Sequence, residues 1–492
     1  MVFVKEKRME WLKNINEAIN GFVWGAPLLV LIIGVGVYLS IRTGFVQIVR
    51  FRYAFRHTVG KAFRGRTSGK GASPPRGAMT PFQAMTTALA STVGTGSIAG
   101  ITSAVTLGGA GAIFWLWVSA LIGMCTKYSE VLLAVKFRER NSRGEWAGGP
   151  MYYIKNGLGQ NCHWLAVVFC VFGAVASFGV GNAIQVGNMT GSINNSIQAY
   201  IPAAAGFRGQ ISLAIGLLVA FLTALTLFGG VKRIGKVTEL LVPFMAAVYV
   251  FASLVVIAAH LGSLGPVLGR IFGEALTPRG ALGGAAGVSV QAAVSWGFRR
   301  GVFSNEAGLG SAPIAHASTS ETNPVRQGMY GIFEVFVDTV VICTITGLTL
   351  LMSGVDLPFG RSGSIDLNIA AFATVFGPKL AGVIVAVGMT LFAVSTIFGW
   401  SLYGIRCVEY LFGGKSVRPY QVVYVLVVVV GATVDLDFIW QVSDTLNGLM
   451  AIPNLIAVLA LSGVVAKLTR AYFGDTSRLT GKAARRSGRV RG

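Results

Sequence analysis

The sequence predicts an all-α, polytopic membrane protein of 11 transmembrane helices, one peripheral helix followed by a five-plus-five inverted repeat. Three observations carry this. The 492 residues are 53% hydrophobic and only 12% charged, with apolar runs of spanning length recurring along the chain. Two of those runs are interrupted by glycine and polar residues, and they lie five spans apart. The basic residues fall in alternate connections, as cytoplasmic loops require.

Spans are expected near 22–41, 81–108, 111–136, 164–192, 211–230, 238–260, 282–312, 328–352, 379–404, 419–434 and 442–466. The first is long enough to be a span rather than a cleavable signal. Between Phe45 and Thr80 stand Arg50, Arg52, Arg56, Lys61, Arg64, Arg66, Lys70 and Arg76 without an acid, and the tail beyond Arg470 is again basic. Both read as cytoplasmic. An odd number of spans then puts the N-terminus outside and the C-terminus inside, in the cell (inner) membrane. Phe45, Ile48, Val49, Phe55, Val59 and Phe63 recur near helical spacing among those cations, the pattern of an interfacial helix on anionic lipid. Three regions follow: 1–80, a core at 81–466 with repeats about 81–260 and 282–466, and a tail at 467–492.

"STVGTGSIAG" at 91–100 is poor material for a continuous helix at membrane depth. Non-helical backbone is tolerated there only when protein, ligand or water satisfies it. Opened between Val93 and Ser97, it aims N–H groups at an anionic carboxylate and frees carbonyls for a cation. The other reading is glycine admitting a neighbouring helix. Its partner stretch, 289–317, is expected to break around Ala293 to Phe298. That break places Arg300, Asn305 and Glu306 toward the inner mouth, as an ionic gate or as a fixed interfacial salt bridge. In the ninth span Ser395 and Thr396 offer neutral oxygen ligands for a hard monovalent cation. Thr396 and Trp400, four apart, share a face on which Trp400 can wall a small cavity.

"ALASTVGTGSIAG", "GGPMYYIKNGLG", "RGVFSNEAGLGSAPIAHA", "FEVFVDT", "STIFGWSLYG" and "SDTLNGLMAIPNL" together resemble the alanine or glycine:cation symporters, over roughly residues 80–465. The resemblance implies a LeuT-like fold preceded by one extra helix. It also implies sodium-coupled uptake of alanine, glycine or a similar small neutral amino acid, with Na+ as the co-transported ion. Carried over residue by residue, it assigns Thr95 and Gly96 to the carboxylate-binding turn. The carbonyls of Ala90 and Val93, with Ser395 and Thr396, correspond to the sodium site, and Phe178, Gln185, Thr396 and Trp400 border the substrate pocket. The chain departs at Ser97, where the family usually has Asn, and at Ile405, where an acid is frequent.

Other classes find little support. The cations sit where topology needs them, which disfavours nucleic acid, and no three-residue glycine period indicates collagen. "GGKS" at 413–416 lacks the first glycine of a P-loop, with Glu409 in its place. The histidines, His57, His163, His260 and His316, lie in the basic loop or at span ends, so no enzyme site is assembled. The five cysteines lack metal-ligand spacing, and no organic cofactor is implied. A channel stays open, as does proton coupling through Glu334 and Asp338, four apart in the eighth span; a buried network with a nearby cation is the alternative for that pair.

Overall fold

The computed structural model describes residues 2–67, 77–276, 290–434 and 437–487. Nine described helices are long and apolar enough to cross a membrane, and the pair Pro81–Thr92 and Gly96–Gly108, bent by 54°, makes a tenth if read as one span. The expected span at 282–312 begins outside the described residues. Its described part begins with the helix Val290–Asn305, 16 residues long. The described helices thus reach ten spans, one short of the sequence expectation.

Several spans are longer than hydropathy alone indicates. The fourth runs Gln160–Tyr200. The helix Ile365–Phe412 is two segments joined at Gly377 (φ 74°) and Pro378. Proline disfavours a helical conformation in the residue before it, and Gly377 breaks the helix there, so the membrane-crossing part starts at that point. The last expected span, 442–466, ends earlier, at Ala460, where a turn at Leu461 leads into the tail helix Ser462–Ser487.

The outward faces are apolar. Leu217, Leu218, Phe221, Leu240, Phe244 and Phe251 are all exposed, as a lipid-facing belt requires. Inside, small residues let backbones approach. A Cβ on Gly297 would lie 2.6 Å from the Ala112 carbonyl oxygen, and one on Gly301 2.6 Å from Ser119 Oγ. The helix Val290–Asn305 is thereby seated against Gly111–Lys136.

The expected interfacial helix is present as Phe51–Thr67. Its face is partly docked on protein: the Phe51 ring lies 5.0 Å from Phe336, and the Tyr53 and Tyr472 hydroxyls are 2.6 Å apart. Phe45, Ile48, Val49 and Phe55 remain exposed. At the same end, a hairpin pairs Glu139–Arg140 with Trp146–Ala147. Arg138 donates to the carbonyls of Ala317, Thr319 and Glu321. Burial pushes its pKa down to about 10, so it stays charged at neutral pH and the anchor persists. Ile405 is buried among apolar neighbours, and a charge network is built one residue on. Arg406 reaches Glu409 at 2.6 Å and Glu145 at 3.1 Å, while Arg143 also holds Glu409 at 3.0 Å.

Candidate substrate and cation site

The first interrupted span opens where the sequence indicates. Thr80 and Gln83 form a capping box that starts the helix Pro81–Thr92. Val93 leaves helical geometry with ψ 80°, turning its carbonyl out of the hydrogen-bond ladder. Helix resumes at Gly96. The Ser395 and Thr396 hydroxyl oxygens lie 3.4 and 3.0 Å from the Ala90 carbonyl oxygen, and each is also 2.9 Å from the Phe392 carbonyl of its own helix. Three of the four expected sodium ligands therefore converge directly, and Val93 stands at the break beside them. A hydroxyl that rotates its proton away presents a lone pair, so this cluster of neutral oxygens suits a small hard monovalent cation.

The turn beyond it is satisfied by Gln185. Its amide oxygen accepts from the Thr95 backbone N–H at 3.2 Å and from the Thr95 hydroxyl at 2.9 Å. The Gln185 NH2 group donates to the Val180 carbonyl at 2.9 Å, and Asn188 donates to Thr95 Oγ1 at 3.0 Å. An sp² oxygen thus already sits where the turn receives an acceptor, the place expected for a substrate carboxylate.

These groups enclose a cavity of ≈ 20 Å³ whose walls include Gly94, Gly96, Val180, Gln185, Phe303 and Trp400. Ser91, Thr92, Ser304, Glu306 and Thr396 complete the lining. That is about the room one water needs, so an amino acid enters only if Gln185, Phe303 or Trp400 moves. Trp400 is 1% exposed, and its indole N–H has no acceptor among the described residues.

Two sequence expectations are corrected. Phe178 does not line the cavity; its ring lies 5.1 Å from Tyr420 and 5.9 Å from Tyr424, turned into an aromatic cluster. Val180, two residues on, takes its place beside the π-helical segment Gly179–Ala183. The break of the seventh span lies not at 293–298, which is continuous helix, but at Glu306–Ser311. There Glu306 has φ 55°, Gly308 φ 92° and Gly310 φ 81°. The glycines at 297 and 301 serve close packing, whereas those at 308 and 310 allow the left-handed turns that stop the helix.

The shifted break relocates the expected gate. Arg299 pairs with Asp444 at 2.7 Å and donates to Asn20 at 3.1 Å. Asn20 is near one end of the first span, Lys13–Thr43, and Arg42 near the other. Arg299 and its neighbour Arg300 are therefore at the end opposite the basic loops, where the sequence expectation does not put them. Arg300 stacks over Trp296 and Phe303, at 5.4 and 5.8 Å from the ring centres, and forms no ion pair with Glu306 among the described residues. Asn305 donates to Thr339 Oγ1 at 3.1 Å, and Glu306 faces the cavity, accepting from Ser311 Oγ at 2.5 Å.

The remaining acids are held in separate networks. The Ser97 and Ser304 hydroxyls lie 3.1 and 2.9 Å from Asp338 Oδ1, and Thr339 donates to Oδ2 at 2.8 Å. Asp338 therefore ties the two interrupted spans together. Glu334 pairs with Lys127 at 3.3 Å, and His316 Nε2 lies 2.8 Å from its other oxygen. Glu130 accepts from the Gly308 N–H at 3.1 Å and from Asn454 at 2.5 Å, fixing the second break. Sequence reasoning missed Lys127 and Glu130, although an ionisable residue inside an apolar run is itself a signal.

Two interrupted helices meeting around an enclosed polar cavity, in a bundle of spanning helices, define a secondary transporter. The sodium:alanine symporter family matches residues 9–485, and the chain belongs to that family. It is 43% identical over 466 residues to the sodium/alanine symporter AgcS of Methanococcus maripaludis, covering 94% of this chain and 98% of that one. The amino-acid carrier protein AlsT of Bacillus subtilis is 34% identical over 462 residues, covering 93% of this chain and 92% of AlsT. Among solved structures, MhsT in complex with L-phenylalanine superposes with a TM-score of 0.56 at 12% identity, over 82% of this chain and 99% of that one. That likeness concerns the fold.

Proposed function

We propose that this chain carries alanine, glycine or a similar small neutral amino acid into the cell together with Na+, one sodium per amino acid, by alternating access. The observation that carries the reading is the convergence of the Ser395 and Thr396 hydroxyls on the Ala90 carbonyl beside the small cavity. A sodium ion there joins the helix Pro81–Thr92 to the ninth span, so its binding fixes the turn that receives the substrate. The substrate carboxylate then replaces the Gln185 oxygen at Thr95, and Trp400 limits the side chain. In this reading the two interrupted spans are equivalent elements of a five-plus-five inverted repeat, and the exposed residues of 45–55 meet anionic lipid. AgcS, a sodium/alanine symporter by name, supports the assignment.

One sodium entering down the membrane potential supplies about 2.3 kcal/mol per 100 mV, enough for roughly fiftyfold accumulation. Purified protein in liposomes, given labelled glycine, alanine, glutamine or leucine under separately imposed sodium, proton or no gradients, tests the reading. Sodium-driven accumulation of the small substrates is expected. Accumulation driven by protons alone refutes sodium coupling. A second reading, proton coupling, is favoured by one feature: Asp338, fully buried beside the cavity residue Ser304 and bonded only to hydroxyls among the described residues.

A further inference from the structure

The cavity holds one charged side chain among the described residues that line it, Glu306. It is 3% exposed and stands at the end of the helix Val290–Asn305. The last-turn carbonyls of that helix put the negative end of its dipole at the same place. Ser311 engages one carboxylate oxygen at 2.5 Å. The nearby cations are engaged elsewhere: Lys127 with Glu334, Arg299 with Asp444, and Arg300 over Trp296 and Phe303. A buried carboxylate in no direct ion pair is costly unless an ionic partner arrives. Its backbone adds to the point, since φ 55° is unusual for a residue other than glycine and persists where surroundings impose it.

Another part of the lining has the other polarity. There the half-helix beginning at Gly96 presents its N-terminal end, and the Thr95 N–H points at an acceptor oxygen. Val180, Phe303 and Trp400 line the same cavity. The cavity thus combines donors beside the Thr95 turn with a buried acid, the two kinds of group that an α-amino acid zwitterion needs.

We infer that the Glu306 carboxylate is the counter-charge of the substrate's α-ammonium group, and that this pairing selects amino acids over carboxylic acids of the same size. The inference rests on the amino-acid transport reading above. A hydroxy acid such as lactate satisfies the turn at Thr95 but leaves Glu306 without its cation. Replacing Glu306 by Gln removes the penalty for lactate and the attraction for alanine together.

The test is competition binding on the purified full chain at saturating sodium, with labelled alanine displaced by unlabelled alanine or lactate. Wild type is expected to prefer alanine by at least about a hundredfold, and Glu306→Gln to reduce that preference by at least about tenfold. Glu306→Asp, which keeps the charge, is expected to retain a larger share of it. The rise in melting temperature caused by sodium alone is read in parallel and is expected to persist in Glu306→Gln. An unchanged preference in Glu306→Gln overturns the inference. So does joint loss of alanine binding, sodium response and thermal stability in both variants, which makes Glu306 a support of the 306–311 turn. Wild type that binds no alanine, glycine, serine or glutamine in sodium overturns the transport reading itself.

Discussion

Gly181 lies against Trp400 so closely that a Cβ at position 181 would come within 2.3 Å of the tryptophan Cβ and 2.5 Å of its Cγ. The side chain that walls the cavity is therefore positioned by the absence of one on the fourth span. Tyr424 keeps this approach fixed, since its hydroxyl lies 3.1 Å from the Gly181 carbonyl and 2.9 Å from that of Ile397.

Gly181→Ala is expected to push Trp400 toward the cavity and narrow it. Overpacking of this kind costs about 1–3 kcal/mol, so alanine uptake should fall roughly tenfold or more while glycine is affected less. Trp400→Ala should do the reverse and admit leucine. Uptake ratios among glycine, alanine and leucine check both, and unchanged ratios in both variants remove Trp400 from the wall.

Gln185 occupies the Thr95 turn with a neutral oxygen. Gln185→Glu puts a tethered carboxylate there, in direct competition with that of the substrate. Alanine affinity is expected to drop by about tenfold or more, the scale of a charge-assisted hydrogen bond. Titration of labelled alanine at saturating sodium measures it, and a gain in affinity contradicts the proposed place of the carboxylate.

Thr396→Ala removes a hydroxyl 3.0 Å from the Ala90 carbonyl with little change in volume. Ser97→Ala removes one bonded to Asp338 and Ser304 instead. The sodium concentration for half-maximal uptake should rise far more in Thr396→Ala. A larger sodium defect in Ser97→Ala shows that the Asp338 cluster holds a coupling ion.

Lys127 and Glu334 form an ion pair with both side chains 0% exposed. Lys127→Met leaves the buried Glu334 carboxylate with His316 as its remaining partner, a loss of up to about 3–5 kcal/mol. Thermal unfolding in detergent should show a lowered midpoint, recovered in large part by Lys127→Met combined with Glu334→Gln. A single variant as stable as wild type contradicts the pairing.

The bundle was legible in the sequence because hydropathy reports lipid exposure directly, and the opened turn at 93–96 because glycine and hydroxyl residues replace helix formers at membrane depth. The second break was misplaced by roughly ten residues, since glycine for packing at 297 and 301 reads like glycine for turning at 308 and 310. Only the three-dimensional neighbours Ala112 and Ser119 separate the two uses. Phe178 was misassigned for a similar reason: its partners Tyr420 and Tyr424 are distant in sequence, so nothing local shows which way the ring turns. Glu306 read as a gate because the misplaced break put it beyond the cavity, and Val180 and Phe303 carry no local signature as pocket walls.

The central claim is that a single cation held between Ala90 and Thr396 moves with the substrate. Simultaneous uptake of radiolabelled sodium and labelled alanine in the same liposomes, at clamped voltage and constant pH, reads this as a flux ratio. The account predicts one sodium per alanine, with both fluxes falling together in Thr396→Ala. Alanine uptake that continues with sodium replaced by choline, or a ratio of two sodium ions per alanine, contradicts it.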